Sequence, residues 1–458
     1  MDISFIPLGG GQEIGANCYI LEWNEHTFLL DSGSNPKAYG FSSLPDFSLI
    51  KQKPEALIIS HAHLDHIGAL PVIVEKYPDI DIYLTEESYL ILEAMLHNTS
   101  NLYNKHTPEK YRFYYFKYYS HGNLDKILNS SYVKIVKYND VIQLSDFLYL
   151  RFHDAGHILG SSMIEIWDQN YKLLYTGDFK LEEQELHSGV KIEGIKDVDT
   201  LIMETTYGNE NNPVKFFDER QKFLDYVREL LTKNIDILLP AFAIGKTQSL
   251  VHTLYNCYFD KNFPDFNLKC LGLGNKIAGF YQKYNDKFRG IFDGIERNDF
   301  SIVHEDNGKK YPEIIIATSG MMIKNTPSYD FGIEFIQNPN KAIIFPGYLS
   351  PDSPGYRLMT AEIGEQIMFG DDKIQKKSAH VRQFHLSAHS DIFELDRFVK
   401  EIKPRNLILV HGDKEAVNNF GKTKQTEGIT LMPKNGELII LETLENKVAR
   451  KASEKTAV

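Results

Sequence analysis

Four potential metal ligands lie within six residues in the segment HAHLDH, residues 61–66. The segment directly follows the apolar run Ala56–Ser60, which is typical of a buried strand. Side chains at i and i+2 of a strand share a face, so His61 and His63 can reach one ion. The turn that follows can aim Asp65 and His66 at a second ion. Imidazole and carboxylate ligands suit zinc, and the segment therefore predicts a metal site at the end of a strand.

Three later positions repeat this arrangement of a potential ligand beside a glycine, just past a β-rich run. They are His157 in DAGHILGS, Asp178 in YTGD and His411 in LVHGD. Glycine permits the sharp turns that such a position requires. Together with the first segment they give seven candidate ligands, a number sufficient for two metal ions.

The chain has 458 residues, which is too long for one ordinary core and predicts two or three compact units. The first 200 residues alternate short β-rich runs with turns and with helical stretches at Ile67–Tyr77 and Glu86–His97. From about residue 209, amphipathic helical patterns alternate with strands, which indicates βαβ units and a mostly parallel sheet. The last stretch, with a helix at Phe393–Ile402 and a strand at Asn406–Val410, returns to the earlier pattern. One domain inserted within another is therefore expected.

The composition limits the class of protein. The formal net charge of −12 argues against a protein that coats nucleic acid, although an enzyme whose metals supply local positive charge stays open. Candidate basic patches are Lys373–Lys377 with Arg382, and the tail Lys447–Lys455. The three cysteines have no metal-ligand spacing and imply no disulfide framework, so a cytoplasmic location is expected. The apolar runs are too short to cross a bilayer, and no membrane association is predicted.

The segment Asn98–Tyr138 is rich in Tyr, Phe and Lys. Aromatic rings interleaved with basic residues can stack nucleic-acid bases. Such a composition is more often a combination of core packing and surface charge. Both interpretations stay open for this segment.

The pattern resembles the metallo-β-lactamase superfamily in Asp31, the 61–66 segment, His157 and Asp178. Four later features resemble the β-CASP nuclease branch of that superfamily. They are Glu204 in ETTYG, the stretch PAFAIGKTQ at 240–248, His389 in LSAHSD, and His411. The branch includes ribonuclease J, RNA-processing nucleases of archaea and bacteria, the pre-mRNA 3′-end endonuclease and the DNA nuclease Artemis. The likeness covers nearly the whole chain, up to about residue 440.

The resemblance implies an α/β fold, an αββα metallo-β-lactamase sandwich with an inserted β-CASP α/β domain. The implied boundaries are 1–208 for the first part of the metallo-β-lactamase domain, 209–376 for the β-CASP domain, and 377–458 for the C-terminal part of the sandwich. The sequence departs from the family pattern at Ile323–Pro327 and at Gly347–Gly355. Both departures fall in the implied insert, and they leave substrate specificity open.

The resemblance also assigns roles to residues. One zinc ion would be held by His61, His63 and His157, and a second by Asp65, His66 and His411, with Asp178 bridging the two. Asp31 resembles the carboxylate that orients a ligand imidazole from the second shell of the site. The implied catalytic residues are His389 as general acid, Glu204 as its hydrogen-bond partner, and the ligands Asp65 and Asp178. Implied substrate contacts are Ser319, His385 and Ser387.

The resemblance favours a two-zinc ribonuclease that hydrolyses phosphodiester bonds of single-stranded RNA, in RNA processing or decay. RNA is preferred because His411 fits the RNA-cutting members. A DNA nuclease of the same family and a small-molecule metallo-hydrolase stay open as alternatives. A scaffold subunit without activity is disfavoured because all seven ligand positions are intact, and an iron enzyme is disfavoured because position 63 is His. A homodimer or a partner within a processing complex is a further expectation, because no appended RNA-binding module is visible.

Overall fold

A computed structural model describes residues 2–106, 108–209, 216–291, 300–303, 310–370, 372–376, 378, 380–424 and 428–441. The candidate basic tail Lys447–Lys455 lies outside the described residues. Among those that are described, no helix combines the length and the apolar character that a membrane crossing requires. Contacts divide the chain into two compact units, the first formed by residues 1–183, 187–213 and 389–458 and the second by residues 184–186 and 214–388. The domain boundaries implied above, 209 and 376, stay predictions.

The first part of the chain contains eleven strands and five α-helices in its described residues. The strands are β1 Ile3–Gly9, β2 Cys18–Trp23, β3 His26–Leu30, β4 Ala56–Ile58, β5 Asp81–Thr85, β6 Val133–Val136, β7 Ile142–Gln143, β8 Tyr149–Asp154, β9 Ser162–Trp167, β10 Lys172–Tyr175 and β11 Thr200–Glu204. The helices are α1 Leu64–Ile67, α2 Leu70–Lys76, α3 Glu86–His106, α4 Glu109–Tyr119 and α5 His121–Leu128.

The middle part, as far as it is described, alternates helices with strands. In chain order the elements are α6 Phe216–Thr232, β12 Asp236–Pro240, α7 Lys246–Tyr258, β13 Asn267–Leu271, α8 Leu273–Tyr284, β14 Phe300–Ile302, β15 Glu313–Ala317, α9 Pro327–Gln337, β16 Lys341–Phe345, α10 Pro354–Thr360, β17 Gln366–Phe369, β18 Asp372–Gln375 and β19 His380–Gln383. The last part contains α11 Ile392–Ile402, β20 Asn406–Val410, α12 Lys414–Lys424, β21 Ile429–Leu431 and β22 Ile439–Leu441.

Two seven-stranded mixed sheets form the first unit, with orders β22-β1-β2-β3-β4-β5-β6 and β21-β20-β11-β10-β9-β8-β7. Side chains alternate between the two faces of a strand. Leu173 and Tyr175 of β10 therefore point into the core between the sheets, whereas Leu174 points to the layer that packs with α11 and α12. Helix α3 contacts β5 and β6 on the other sheet. This is the predicted αββα sandwich.

The second unit is built on a six-stranded sheet with order β14-β13-β15-β12-β16-β19. All neighbouring pairs in it are parallel except β13 with β14. The central strands β12, β15 and β16 are almost entirely buried, as parallel strands covered on both faces must be. The predicted mostly parallel α/β arrangement is confirmed.

Two predicted helices differ from the structure. The helix expected at Ile67–Tyr77 is divided into α1 and α2, because Gly68 caps α1 and Pro71 stands in the first turn of α2, where its missing N–H costs nothing. The helix expected to end at His97 continues to His106 through Asn98, Thr99 and Ser100. These residues favour turns in isolation, but Thr99 and Ser100 are buried, and tertiary packing overrides the local preference.

Candidate metal centre

Strand ends of both sheets of the first unit bring the candidate ligands together. The segment 61–66 follows β4, His157 follows β8, Asp178 follows β10 and His411 follows β20. Gly177, next to Asp178, has a φ of 53°, and a Cβ there would lie 2.6 Å from the Cβ of Ser60. This glycine allows the turn after β10 to approach the turn after β4.

Three imidazoles and a carboxylate form the first cluster. His63 Nδ1 lies 3.0 Å from His61 Nε2 and 3.3 Å from His157 Nε2. Asp178 Oδ2 lies 3.3 Å from His61 Nε2 and 3.8 Å from His157 Nε2. All four donor atoms fall within 4.8 Å of one another. One proton cannot form hydrogen bonds with all three of these imidazole nitrogens at once. A metal cation placed between them can accept a lone pair from each.

The second cluster consists of Asp65, His66 and His411, whose donor atoms also fall within 4.8 Å of one another. Asp65 Oδ2 lies 3.3 Å from His411 Nε2 and 3.9 Å from His66 Nε2. Asp178 Oδ1 lies 3.4 Å from His66 Nε2 and 3.4 Å from His411 Nδ1. Each carboxylate oxygen of Asp178 therefore faces a different cluster.

Burial and charge set the protonation of these groups. Burial lowers the pKa of His63 to about 3, and it also lowers the pKa values of His61 and His157. These three imidazoles are neutral at pH 7, which is the form that binds metals. Burial acts on His66 and His411 in the same direction, but the Asp178 carboxylate beside them raises both pKa values above their usual range.

The donor set fits a zinc-type cation. Asp178 is 2% exposed, yet its Oδ1 accepts no hydrogen bond among the described residues. Buried polar atoms are almost always hydrogen-bonded, so this oxygen requires another partner. Nitrogen and carboxylate ligands around it match the preference of zinc.

Asp31 holds His66 in place. Its Oδ2 lies 2.8 Å from His66 Nδ1 and accepts hydrogen bonds of 2.7 Å from the hydroxyls of Ser60 and Tyr175. Its Oδ1 accepts from the Ser60 backbone N–H at 2.7 Å. A proton on His66 Nδ1 leaves Nε2 as the nitrogen that faces the cluster. The sequence reasoning missed Ser60 and Tyr175, although both stand within three residues of predicted ligands.

A third group of side chains contains His389, Glu204 and again Asp178. His389 Nδ1 lies 3.0 Å from both carboxylate oxygens of Glu204, and its Nε2 lies 4.0 Å from Asp178 Oδ2. Burial lowers the pKa of His389, but the carboxylates of Glu204, Asp178 and Asp65 together outweigh burial, and the pKa is raised to about 9. Cations bound in the neighbouring clusters would oppose this rise.

The turn after β10 positions this pair. The Phe179 backbone N–H donates to Glu204 Oε1 at 2.9 Å. Lys180 Nζ donates to the His389 carbonyl oxygen at 3.1 Å and pairs with the buried Glu394 at 2.6 Å. The Glu394 side chain also closes a capping box at the start of α11. The sequence reasoning missed Lys180 and Glu394, which carry no motif and lie 214 residues apart.

Ser319, His385 and Ser387, the predicted substrate contacts, belong to the second unit. Ser319 Oγ accepts a hydrogen bond of 2.9 Å from the Ile323 backbone N–H, so this hydroxyl helps to close a turn. His385 is exposed, and its backbone N–H donates to Glu219 at 3.2 Å. Their role in substrate binding stays a prediction.

In the candidate basic patch at Lys373–Lys377, Lys377 lies outside the described residues, and Lys376 does not belong to a charged surface. Lys376 is buried, and its Nζ donates to the carbonyl oxygens of Leu358 and Ala361 at 3.1 and 2.5 Å. The Lys376 ammonium group therefore caps the C-terminal end of α10 and is not a surface charge available to a ligand.

Comparison with known proteins adds three family matches. The sequence profile of the Metallo-beta-lactamase superfamily matches residues 11–211, the Beta-Casp domain matches residues 247–358, and the Zn-dependent metallo-hydrolase RNA specificity domain matches residues 375–432. A solved structure of a protein of unknown function from Enterococcus faecalis aligns with 96% of this chain and 100% of its own, with a TM-score of 0.60 at 16% identity. This likeness supports the fold.

Two similar proteins are named as RNases, and a third is named as a cleavage and polyadenylation factor. The Probable RNase MJ4 of Methanocaldococcus jannaschii is 30% identical over 94% of this chain and 98% of its own length. The RNase aCSPSF2 of Saccharolobus solfataricus is 28% identical over 95% of this chain and 84% of its own. Cleavage and polyadenylation specificity factor subunit 3 of Dictyostelium discoideum is 27% identical over 98% of this chain, which spans only 58% of that protein's length.

The fold and the clusters of histidine and aspartate define a zinc-dependent metallo-hydrolase. The chain belongs to the metallo-β-lactamase superfamily, in the family that combines this domain with a Beta-Casp domain and an RNA specificity domain. The predicted fold class, family and class of enzyme are confirmed.

Proposed function

We propose that the chain is a two-zinc ribonuclease that hydrolyses phosphodiester bonds of single-stranded RNA. The observation that carries the proposal is the position of the RNA specificity domain match, residues 375–432, which includes His411 of the second cluster and His389 beside Asp178. The names of the relatives, among them an endoribonuclease of Schizosaccharomyces pombe, support the same reaction.

The two clusters support a count of two ions. His61, His63 and His157 would hold one zinc, Asp65, His66 and His411 the other, and Asp178 would contribute one oxygen to each. Zinc bound there supplies an activated water at neutral pH and positive charge for the phosphate. Asp31 fixes the His66 tautomer through the 2.8 Å contact described above.

His389 is the proposed general acid. Its Nδ1 is held by Glu204, so the protonated ring would present Nε2 to the leaving oxygen of the substrate. Glu204 is itself fixed by Thr206 and by the Phe179 N–H, so the carboxylate holds one imidazole orientation. Donation of this proton as the P–O bond breaks avoids the release of a strongly basic alkoxide.

Ser319, His385 and Ser387 are proposed as phosphate or base contacts, with a homodimer or a processing complex supplying further affinity. Two relatives, both named Integrator complex subunit 11, carry a complex in their names, which supports that part of the proposal. The cytoplasmic location stays a prediction.

The proposal is tested by measuring zinc per chain by mass spectrometry and by incubating the same sample with 5′- or 3′-labelled single-stranded RNA and with matched DNA. We expect two zinc ions per chain and cleavage selective for RNA, with the two labels distinguishing internal from terminal cuts. Equal cleavage of DNA would favour the alternative of a DNA nuclease. Two zinc ions without cleavage of either polymer would contradict a nuclease and favour a small-molecule hydrolase.

A further inference from the structure

Helix α4 has two differently composed sides. Tyr114, Tyr115, Tyr118 and Tyr119 recur at helical spacing and are buried against the rest of the first unit. Phe113 and Phe116 point outward, 78% and 70% exposed. Two exposed phenylalanines one turn apart are unusual beside four buried tyrosines, because the rings best able to tolerate water are the buried ones.

The loop after β3 adds two more exposed rings beside α4. Tyr39 is 51% exposed and stacks on Tyr111 at a centroid distance of 6.0 Å. Phe41 is 66% exposed and meets Tyr114 edge-on at 4.8 Å. The Gly40 backbone N–H donates to the Tyr115 hydroxyl at 3.1 Å, which fixes the loop to the helix.

Positive charge lies among these rings. Lys110 and Arg112 are both exposed on α4, and Lys110 Nζ lies 4.7 Å from the centre of the Tyr111 ring. Lys117 is also exposed but is paired with Glu75 at 3.3 Å. Among the described residues, Lys110 and Arg112 form no ion pair. In a chain with a formal net charge of −12, two such cations beside four exposed rings favour an anionic partner.

This face connects to the metal centre through a short stretch of chain. Gly33 lies near the start of the loop after β3 and packs on the turn that carries candidate ligands, where a Cβ would lie only 1.6 Å from the Asp65 carbonyl oxygen. The eight residue steps from Gly33 to Phe41 span at most about 29 Å. The Tyr119 hydroxyl on α4 donates to the carbonyl oxygen of Gly68, at the end of α1. The loop after β3 and α4, which carry the exposed rings, therefore both contact the turn that carries the candidate ligands.

We infer that Tyr39, Phe41, Lys110, Arg112, Phe113 and Phe116 form an aromatic–basic face that binds single-stranded RNA by stacking its bases and contacting its phosphates. The inference rests on the proposed function, because it extends the path of the same substrate beyond the metal centre. Rings offer a stacking surface to any base, and the cations follow the backbone. A strand of 20 nucleotides, at about 3.4 Å per nucleotide, is long enough to touch both this face and the clusters.

The test uses the full chain with Phe113→Ala and Phe116→Ala combined. Binding of a fluorescein-labelled 20-nucleotide oligouridylate with phosphorothioate linkages, which resist cleavage, is measured by fluorescence anisotropy on the zinc-loaded protein. We expect the Kd to rise about tenfold or more, since loss of stacked bases weakens binding by this order. The matched pair Phe113→Tyr with Phe116→Tyr retains the ring faces and should bind within about twofold of the parent.

Two controls separate stacking from other causes. Phe113→Leu with Phe116→Leu preserves apolar area without a ring face and should bind as weakly as the alanine pair, whereas recovery of parental affinity would overturn stacking. Phe259→Ala removes a ring that is 62% exposed in the second unit and should leave the Kd unchanged. The inference would also be overturned if the alanine pair bound RNA with the affinity of the parent. It would likewise be overturned if light scattering showed a dimer for the parent and a monomer for the alanine pair, because the face would then be an interface between two copies of the protein.

Catalysis distinguishes this inference from the proposed function. With zinc present, the alanine pair should raise KM for the 20-nucleotide RNA and leave hydrolysis of bis-p-nitrophenyl phosphate, which reaches only the metal centre, unchanged. If the parent cleaves RNA and the variant has the same KM, the inference alone fails. If the parent hydrolyses neither substrate, the proposed function fails while the anisotropy result still decides the inference.

Discussion

The three-histidine cluster and the His389–Glu204 pair both place imidazoles beside Asp178, but the imidazoles meet different partners. In the cluster, His63 Nδ1 faces two other imidazole nitrogens at 3.0 and 3.3 Å, and its pKa is lowered to about 3. In the pair, His389 Nδ1 faces a carboxylate at 3.0 Å, and its pKa is raised to about 9. Burial alone acts in the same direction on both.

The difference shows that the partner, and not the burial, decides what a buried histidine can do. Imidazole nitrogens that face one another disfavour protonation, because the charged rings would repel each other, and in the neutral form they can bind a metal cation. A nitrogen that faces a carboxylate retains a proton and suits acid catalysis. Substitutions in the two groups should therefore separate metal loss from the loss of proton transfer.

The largest effect is expected for His63→Ala, which removes one nitrogen from the cluster. Zinc content should fall, and RNA cleavage should decrease by at least about 10⁴-fold, because the metals account for most of the acceleration. Mass spectrometry and a labelled-RNA assay measure both. His97→Ala is the matched control, since His97 lies on α3 and contacts His121 outside the clusters. Full zinc content with cleavage within tenfold of the parent would remove His63 from the metal site.

The next largest effect is expected for His389→Ala. Zinc should be retained, and the rate of RNA cleavage should fall about 10²–10⁴-fold if His389 has the proposed role of general acid. A p-nitrophenyl phosphodiester has a leaving group that needs no proton, so the deficit should nearly vanish with that substrate. An equal loss of rate on both substrates would mean that His389 contributes to binding or folding. The proposed difference between His389 as a proton donor and the cluster histidines as metal ligands would then fail.

The sequence predicted the residues of these groups better than the contacts that orient them. The 61–66 segment is short, so its spacing alone places several ligands together, and the glycines beside His157 and Asp178 indicate turns. The contact between the Tyr175 hydroxyl and Asp31 joins residues 144 positions apart, and no local pattern predicts it. Such contacts depend on which strands become neighbours, and this is decided by the packing of the whole sheet.

The helices and strands were predictable from the sequence to about the same extent as the residues of the site. The strand Asn406–Val410 was predicted with its observed bounds, because a short apolar run between polar residues leaves little choice for its two ends. The break between α1 and α2 was missed, although Gly68 and Pro71 stand at it, because the apolar spacing continues across both residues. The aromatic segment left two interpretations open, and the structure shows packing on one side of α4 and exposure on the other.

A smaller effect is expected for Asp31→Asn, which keeps the shape of the side chain but removes the charge that faces His66 Nδ1 at 2.8 Å. Such outer partners typically contribute 10–100-fold to metal affinity, so we expect about this loss at the second cluster and little change at the first. Competition with a chromogenic zinc chelator measures the two affinities. Asp46→Asn, an exposed carboxylate that caps a short turn of helix, should change neither. Equal weakening of both zinc ions would show that Asp31 supports the whole site and not one imidazole.

The smallest effect on catalysis is expected for Lys180→Met, which breaks the buried 2.6 Å pair with Glu394 and the contact with the His389 carbonyl oxygen. Misplacement of the acid should lower kcat by less than about tenfold and leave KM unchanged, because the metal clusters still bind the phosphate. The free energy of unfolding should fall by about 3–5 kcal/mol, since Glu394 is left buried without its partner. Adding Glu394→Gln removes that charge and should restore part of the stability but none of the rate. Recovery of both the stability and the rate in the double variant would show that the Lys180–Glu394 pair stabilises α11 without positioning His389. The cluster and the His389–Glu204 pair would then differ only in the side chains that contact each imidazole directly.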